Sequence, residues 1–132
     1  MTDVDWDRLR REATAVMARA YAPYSRYPVG AAALVDDGRI VTGCNVENAS
    51  YGVGLCAECG VASNLAASGG GRLVALVCVD SKGELLAPCG RCRQVLMEFG
   101  GREMLLDRPG GRRTLGELLP EAFTADDLTG ST

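Results

Sequence analysis

Cys56-Ala57-Glu58-Cys59 and Pro88-Cys89-Gly90-Arg91-Cys92 are the two stretches around which this chain is organised. Thiolates are the softest ligands a protein offers, so two close-spaced pairs of cysteines brought together by a fold suggest zinc. One arrangement is a closed structural site in which Cys56, Cys59, Cys89 and Cys92 all bind the metal. The company the cysteines keep points to a different one. Glu58 lies two residues after Cys56, where a carboxylate can face a metal without binding it, and Pro88 directly precedes Cys89. A structural site needs neither residue. A hydrolytic zinc site needs three protein ligands, an open position for water and a nearby proton carrier.

Both stretches open onto helical patterns. From Ala57 to Ala67 the residues are small and apolar over much of the surface, with Val61, Ala62, Leu65 and Ala66, and Gly69-Gly70-Gly71 stops the run. Such a helix is usually buried, and packing against partner subunits is one expected way of burying it. A second helix is predicted from about Gly90 to Phe99, with Val95, Leu96 and Phe99 inward and Gly100-Gly101 as its stop. Cys56 and the pair Cys89 and Cys92 then lie at two helix N-termini, each carrying roughly half a positive charge. Three thiolates and one Zn2+ sum to a net charge of about −1, which the two helix ends offset.

The same logic extends to the flanks. Trp6, Leu9, Ala13, Val16, Met17 and Ala20 recur at helical spacing from about Asp5 to Ala20, Pro23 ends that helix, and Trp6 reads as a core anchor. Val29 to Val35 is apolar, Asp36-Asp37-Gly38 is a tight turn, and Arg39 to Val46 returns as the second strand of a hairpin, with Cys44 a small buried residue. Asn48 to Gly54 reads as a loop that delivers Cys56. Leu73 to Val79 is a continuous apolar run suited to a central strand, with Cys78 in the core. Glu103 to Leu106 reads as a short strand, the Pro109-Gly110-Gly111 region as a loop, and Leu115 to Leu119 and Thr124 to Leu128 as short helices, with the last residues frayed. Hairpin, helix, strand, helix, strand describes one domain spanning 1–132: a mixed sheet with helices packed on its faces.

Composition bounds the function. With 47% apolar and 23% charged residues, the 132-residue chain is long enough to bury a core without disulfides. No stretch approaches the ~20 apolar residues of a membrane span, and the acidic N-terminus, with Asp3, Asp5 and Asp7, is unlike a secretory signal. A cytoplasmic protein with free thiols and thiolates is expected. The net charge of −3 comes without a basic run; Arg8, Arg10 and Arg11 alternate with acids on a solvated helix face, so no nucleic-acid partner is expected. There is no histidine, which leaves acid–base chemistry to a carboxylate, a thiol or a metal-bound water.

Cys56-x-Glu58 followed by Pro88-Cys89-x-x-Cys92 resembles the signature of the zinc-dependent nucleoside deaminases, in the form whose first ligand is cysteine. The segments Tyr24 to Ala32 and Cys44 to Tyr51, with Leu118-Leu119-Pro120-x-Ala122-Phe123, resemble those of the small homotetrameric cytidine deaminases over nearly the whole chain. The resemblance implies an α/β fold, a three-layer α-β-α sandwich around a central mixed sheet of about five strands. It implies one Zn2+ per subunit on Cys56, Cys89 and Cys92, and hydrolysis of cytidine and 2'-deoxycytidine to the uridine nucleosides with release of ammonia, a step of pyrimidine salvage. Glu58 would carry a proton from the attacking water to N3 of the base. Asn45 and Glu47, which alternate along a strand end and can face one side, would bind the sugar 3'-OH. Tyr27 would supply an aromatic face and the backbone of Ala57 a partner for the base carbonyl. Tyr51 and Phe123 would line the site across subunit boundaries.

Two positions depart from the family pattern. Cys59 stands where many relatives carry an arginine that offsets thiolate charge, which makes Arg91 a candidate for that task; Tyr27 stands where phenylalanine is common, adding a hydroxyl that needs a partner or water. Cys59 also keeps two other readings in view: a structural four-cysteine zinc module for protein interaction, and a thiol redox protein built on either C-x-x-C.

Overall fold

The computed structural model describes residues 3–130. Ser131 and Thr132, where fraying is expected, lie outside the described residues. Helix α1 (Trp6–Met17) starts where the Asp5 carboxylate accepts the Arg8 N–H at 3.0 Å, a side-chain cap for an orphan donor of the first turn. Strands β1 (Gly30–Val35) and β2 (Ile40–Cys44) form the antiparallel hairpin, with Leu34 opposite Ile40 and Gly30 opposite Cys44. Helix α2 (Ala57–Ala67) leads through the glycine run to β3 (Leu73–Val79), and α3 (Gly90–Gly100) leads to β4 (Leu105–Asp107). Strand β5 (Arg113–Thr114) and the short helices α4 (Leu115–Leu118) and α5 (Ala125–Thr129) complete the chain.

The five strands form one sheet in the order β2-β1-β3-β4-β5. Only β3 and β4 run parallel, joined through α3; the other three pairings are antiparallel, so the sheet is mixed. Strand periodicity then sorts the core into two layers. Ala32, Leu34, Ala75, Val77 and Val79 pack with Leu9 and Ala13 of α1 on one face. Ala31, Ala33, Val35, Leu76 and Cys78 pack with Val61 and Leu65 of α2 and Leu96 of α3 on the other. This is the α-β-α sandwich expected from the sequence, with the starts of α2 and α3 on one face of the sheet.

Local expectations are modified in three places. Trp6 is only partly buried: its indole lies at the edge of the α1 layer, with the Arg112 guanidinium 4.4 Å above the ring centre, a cation–π contact that a fully enclosed core residue would lack. Cys44 is half-buried because it ends β2 at the rim of the sheet. Arg113–Thr114, read as part of a loop, pairs with Leu105 and Leu106 as the edge strand β5.

Strand β2 and helix α2 approach until backbone meets backbone. A Cβ on Gly43 would fall on the carbonyl oxygen of Ala57 and 2.6 Å from the Val61 nitrogen, so only glycine permits α2 to lie this close. Gly43→Ala is expected to lower stability by about 3 kcal/mol, the upper part of the overpacking range because the atoms it meets are main chain. Chemical denaturation of the variant checks this; an unchanged midpoint would show that α2 can shift freely.

Candidate functional site

Residues at the N-cap of a helix have extended backbone, and a side chain there either caps the first turn or stays available for another partner. Cys56 is the N-cap of α2, at φ −74° and ψ 160°, and Cys89 is the N-cap of α3, at φ −66° and ψ 168°. Neither side chain caps its own helix, so both sulfurs remain available. Cys92 lies in the first turn of α3 and is buried. Packing of α2 against α3 brings these together: the Sγ atoms of Cys56, Cys89 and Cys92 all lie within 4.8 Å of one another. Sulfurs bound to one tetrahedral zinc at about 2.3 Å would be about 3.8 Å apart. Three soft donors at this spacing fit a zinc ion. Among the described residues the group does not include Cys59, so the closed four-thiolate set does not form.

The thiols also resist ionising together without a cation. Burial raises the pKa of Cys56, and burial followed by the nearby Glu58 charge raises that of Cys92 well above the ordinary value. For Cys89 burial again opposes ionisation, but hydrogen bonds from the Cys92 N–H and from the thiols of Cys92 and Cys56 outweigh it and lower the pKa. A dication would relieve the repulsion among three thiolates, which is how metal binding couples to deprotonation.

Glu58 follows within the first turn of α2 and is 5% exposed. Burial raises its carboxyl pKa; hydrogen bonding at its own backbone and to the thiols of Cys78 and Cys92 limits the rise. It lines a cavity of about 180 Å³ with Cys56, Cys89, Ala57, Asn45 and Cys78. The buried Ala57 belongs to the first turn of α2, where backbone N–H groups lack intrahelical partners. Asn45 does two things. It lines this cavity, and its amide clamps the preceding segment, accepting the Val29 N–H at 2.8 Å and donating to the Tyr27 carbonyl at 2.9 Å.

The remaining predicted site residues are Glu47, Tyr51, Tyr27 and Phe123. Glu47 lines a separate cavity of about 360 Å³ with Tyr24, Ser25, Asn48 and Tyr51. Its carboxylate accepts the backbone N–H groups of Tyr24 and Ser25, each at 3.0 Å, and the Ser25 hydroxyl. These bonds, the hydroxyl first, hold its pKa below the ordinary carboxyl value. Tyr51 is 81% exposed, its ring centre 6.2 Å from that of Tyr24. Tyr27 is half exposed and lines neither cavity. Phe123 is 58% exposed beside Arg72, Met97 and Glu98, so a single chain does not bring it to the thiols. Arg91, the candidate for offsetting thiolate charge, instead extends toward the Gly54 carbonyl at 3.5 Å.

Sequence reasoning placed Cys78 in the core and missed its second position, beside Glu58. The signal was there: Cys78 falls near the C-terminal end of a central strand that has a parallel neighbour, the end at which open α/β sheets place their ligands.

The model of the cytidine and deoxycytidylate deaminase zinc-binding region matches residues 5–107. A cytidine deaminase of Mycobacterium tuberculosis (strain CDC 1551 / Oshkosh) is 66% identical over 128 residues, covering 97% of this chain and 96% of that protein. A crystal structure of cytidine deaminase from Mycobacterium tuberculosis superposes with a TM-score of 0.90 at 66% identity, covering 92% of this chain and 99% of that one. One from Mycobacterium leprae gives 0.89 at 58% identity, covering 90% and 100%. With three sulfurs and a buried carboxyl gathered at the starts of α2 and α3, and with this similarity along nearly its whole length, the chain belongs to the cytidine and deoxycytidylate deaminase zinc-binding family.

Proposed function

We propose that the protein is a zinc-dependent cytidine deaminase that converts cytidine and 2'-deoxycytidine to uridine and 2'-deoxyuridine, with Cys56, Cys89 and Cys92 as metal ligands and Glu58 as the proton carrier. The observation that carries this reading is the buried Glu58 carboxyl lining one small cavity with two of the three gathered sulfurs. Zinc bound there supplies a Lewis acid and a water made acidic enough to attack at neutral pH.

The chain does the rest. The Glu58 carboxylate takes a proton from the attacking water and delivers it to N3 of the pyrimidine, which makes C4 electrophilic. The water oxygen adds at C4. A second proton, passed by Glu58 from the added hydroxyl to the 4-amino group, lets the C4–N bond break, so ammonia leaves and the base becomes uracil. The raised pKa of Glu58 suits a group that must both accept and donate. The backbone N–H of Ala57, in the first turn of α2, donates to the base carbonyl. Asn45 and Glu47 bind the sugar hydroxyls, and the Ser25 bonds keep Glu47 ionised and aimed. Tyr27 packs its ring near the pyrimidine.

The protein acts as one domain in the cytoplasm, in pyrimidine salvage, on a nucleoside rather than a nucleic acid. Among the described residues no helix is long and apolar enough to cross a membrane. Tyr51 and Phe123 reach the site of a neighbouring subunit in a homotetramer; their exposure in the single chain supports this assignment.

The test is the loss of ultraviolet absorbance when cytidine or 2'-deoxycytidine is incubated with zinc-loaded protein. Conversion to the uridine nucleoside with one ammonia released per turnover is expected. Zinc-replete protein that leaves both nucleosides intact would overturn the assignment.

A further inference from the structure

Arg93 stands immediately after Cys92 in α3, half-buried, and its guanidinium donates to two main-chain carbonyls. Nε donates to the Pro88 carbonyl at 2.9 Å and Nη1 to the Leu118 carbonyl at 2.9 Å. The Arg93 backbone N–H donates at 2.9 Å to the carbonyl of Cys89, the first hydrogen bond of the helix. One residue therefore grips the two consecutive peptide groups that flank Cys89.

Pro88 is buried, and it contributes a carbonyl to the loop but no donor. A buried carbonyl left without a partner would turn toward water, and the peptide it shares with Cys89 would turn with it. That rotation moves the Cys89 Cβ and hence the sulfur. The second arm of the guanidinium closes on Leu118, the last residue of α4, a position whose carbonyl has no following turn of helix to pair with. Pro88 is thus tied across a rigid fork to α4 instead of resting on loop conformation alone. The next residue extends the tie: Gln94 Nε2 donates to the Phe123 carbonyl at 2.8 Å.

We propose that Arg93 is a positioning residue for the metal centre, fixing the Cys89 sulfur through the Pro88 carbonyl and locking that loop to α4. The inference rests on the reading of Cys89 as a zinc ligand. It requires arginine in particular. A lysine ammonium is a point donor and cannot span two carbonyls in one plane as a guanidinium does. Partners behind metal ligands of this kind typically change metal affinity or activity by about 10- to 100-fold when removed.

The test compares wild type with Arg93→Lys, Arg93→Ala and a control, Arg39→Ala. Arg39 also clamps main-chain carbonyls, those of Ser68 and Gly70, but at the far end of α2 from Cys56, so the control reports the general cost of losing such a clamp. Zinc transfer to a chromophoric chelator is followed on each protein, and the visible spectrum is recorded after cobalt replacement. Both Arg93 variants are expected to release zinc about 10- to 100-fold faster than wild type, with shifted thiolate-to-cobalt bands, while Arg39→Ala keeps wild-type release and spectrum. Wild-type release and spectrum in Arg93→Lys and Arg93→Ala would overturn the inference with the zinc reading intact. A wild-type protein that holds no zinc would overturn the reading on which it rests. These readouts need no catalytic turnover, and Arg93→Lys covers the case in which the alanine variant does not fold.

Discussion

Glu58→Gln is expected to lower kcat for cytidine by about 10⁴-fold, the upper end of what general acid–base catalysis contributes, because one carboxyl serves successive proton transfers. Glutamine matches the carboxyl in size and can still hydrogen-bond to the Cys78 and Cys92 thiols, but it cannot take a proton from water and return it. Zinc content should remain at one per chain. Substrate affinity should change little, since the contacts proposed to hold the nucleoside lie at Ala57, Asn45 and Glu47. Stability carries an independent sign. Burial raises the folded-state pKa of Glu58. The stability linked to its protonation is therefore complete below the ordinary carboxyl pKa and is lost as pH rises through the raised value. The zinc-free variant should lack that loss and melt higher than zinc-free wild type at neutral pH. Rapid-quench kinetics, metal analysis and thermal melts separate these outcomes. Near wild-type kcat in Glu58→Gln would remove Glu58 from the mechanism.

The sequence was most legible where a signal is local. Helix α2 runs from Ala57 to Ala67 and β3 from Leu73 to Val79, the limits their apolar runs and glycine stops predict. The clustering of Cys56, Cys89 and Cys92 was legible too, because each sits at a helix start and starts carry short-range signals. What failed depends on partners distant in the chain. Arg113–Thr114 is a strand only because β4 offers it an edge at Leu105 and Leu106; two residues have no periodicity to read. Trp6 was misjudged because its neighbour Arg112 comes more than a hundred positions later. Alternation within a strand is the basis for reading Asn45 and Glu47 together, yet β2 stops at Cys44, so both lie beyond the regular strand. The backbone there is fixed by isolated bridges of Val46 to Tyr21 and Leu55, which no pattern within the strand announces.

Removing one thiol should separate the three-sulfur site from a four-cysteine module. Cys89→Ala is expected to lose stoichiometric zinc and all measurable deamination. Structural zinc in zinc-finger peptides is worth about 10–16 kcal/mol, and on that scale one of three ligands accounts for about 3–5 kcal/mol, or about 10²- to 10⁴-fold in affinity. Cys59→Ala is expected to keep one zinc and near wild-type turnover. Cys59 lies three residues after Cys56 on α2 and is only half-buried, and its sulfur is outside the group formed by the other three. Its backbone N–H already serves the turn by donating to the Cys56 carbonyl at 3.0 Å, a bond that alanine retains. The side chain is therefore dispensable to the geometry that presents Cys56. Counting zinc-protected thiols provides the complementary measurement: three of the six cysteines in this chain should be shielded from an alkylating reagent by bound zinc and exposed by chelation. Zinc loss on Cys59→Ala would instead require a fourth thiolate, and a fourth thiolate would leave no position for the water that hydrolysis needs.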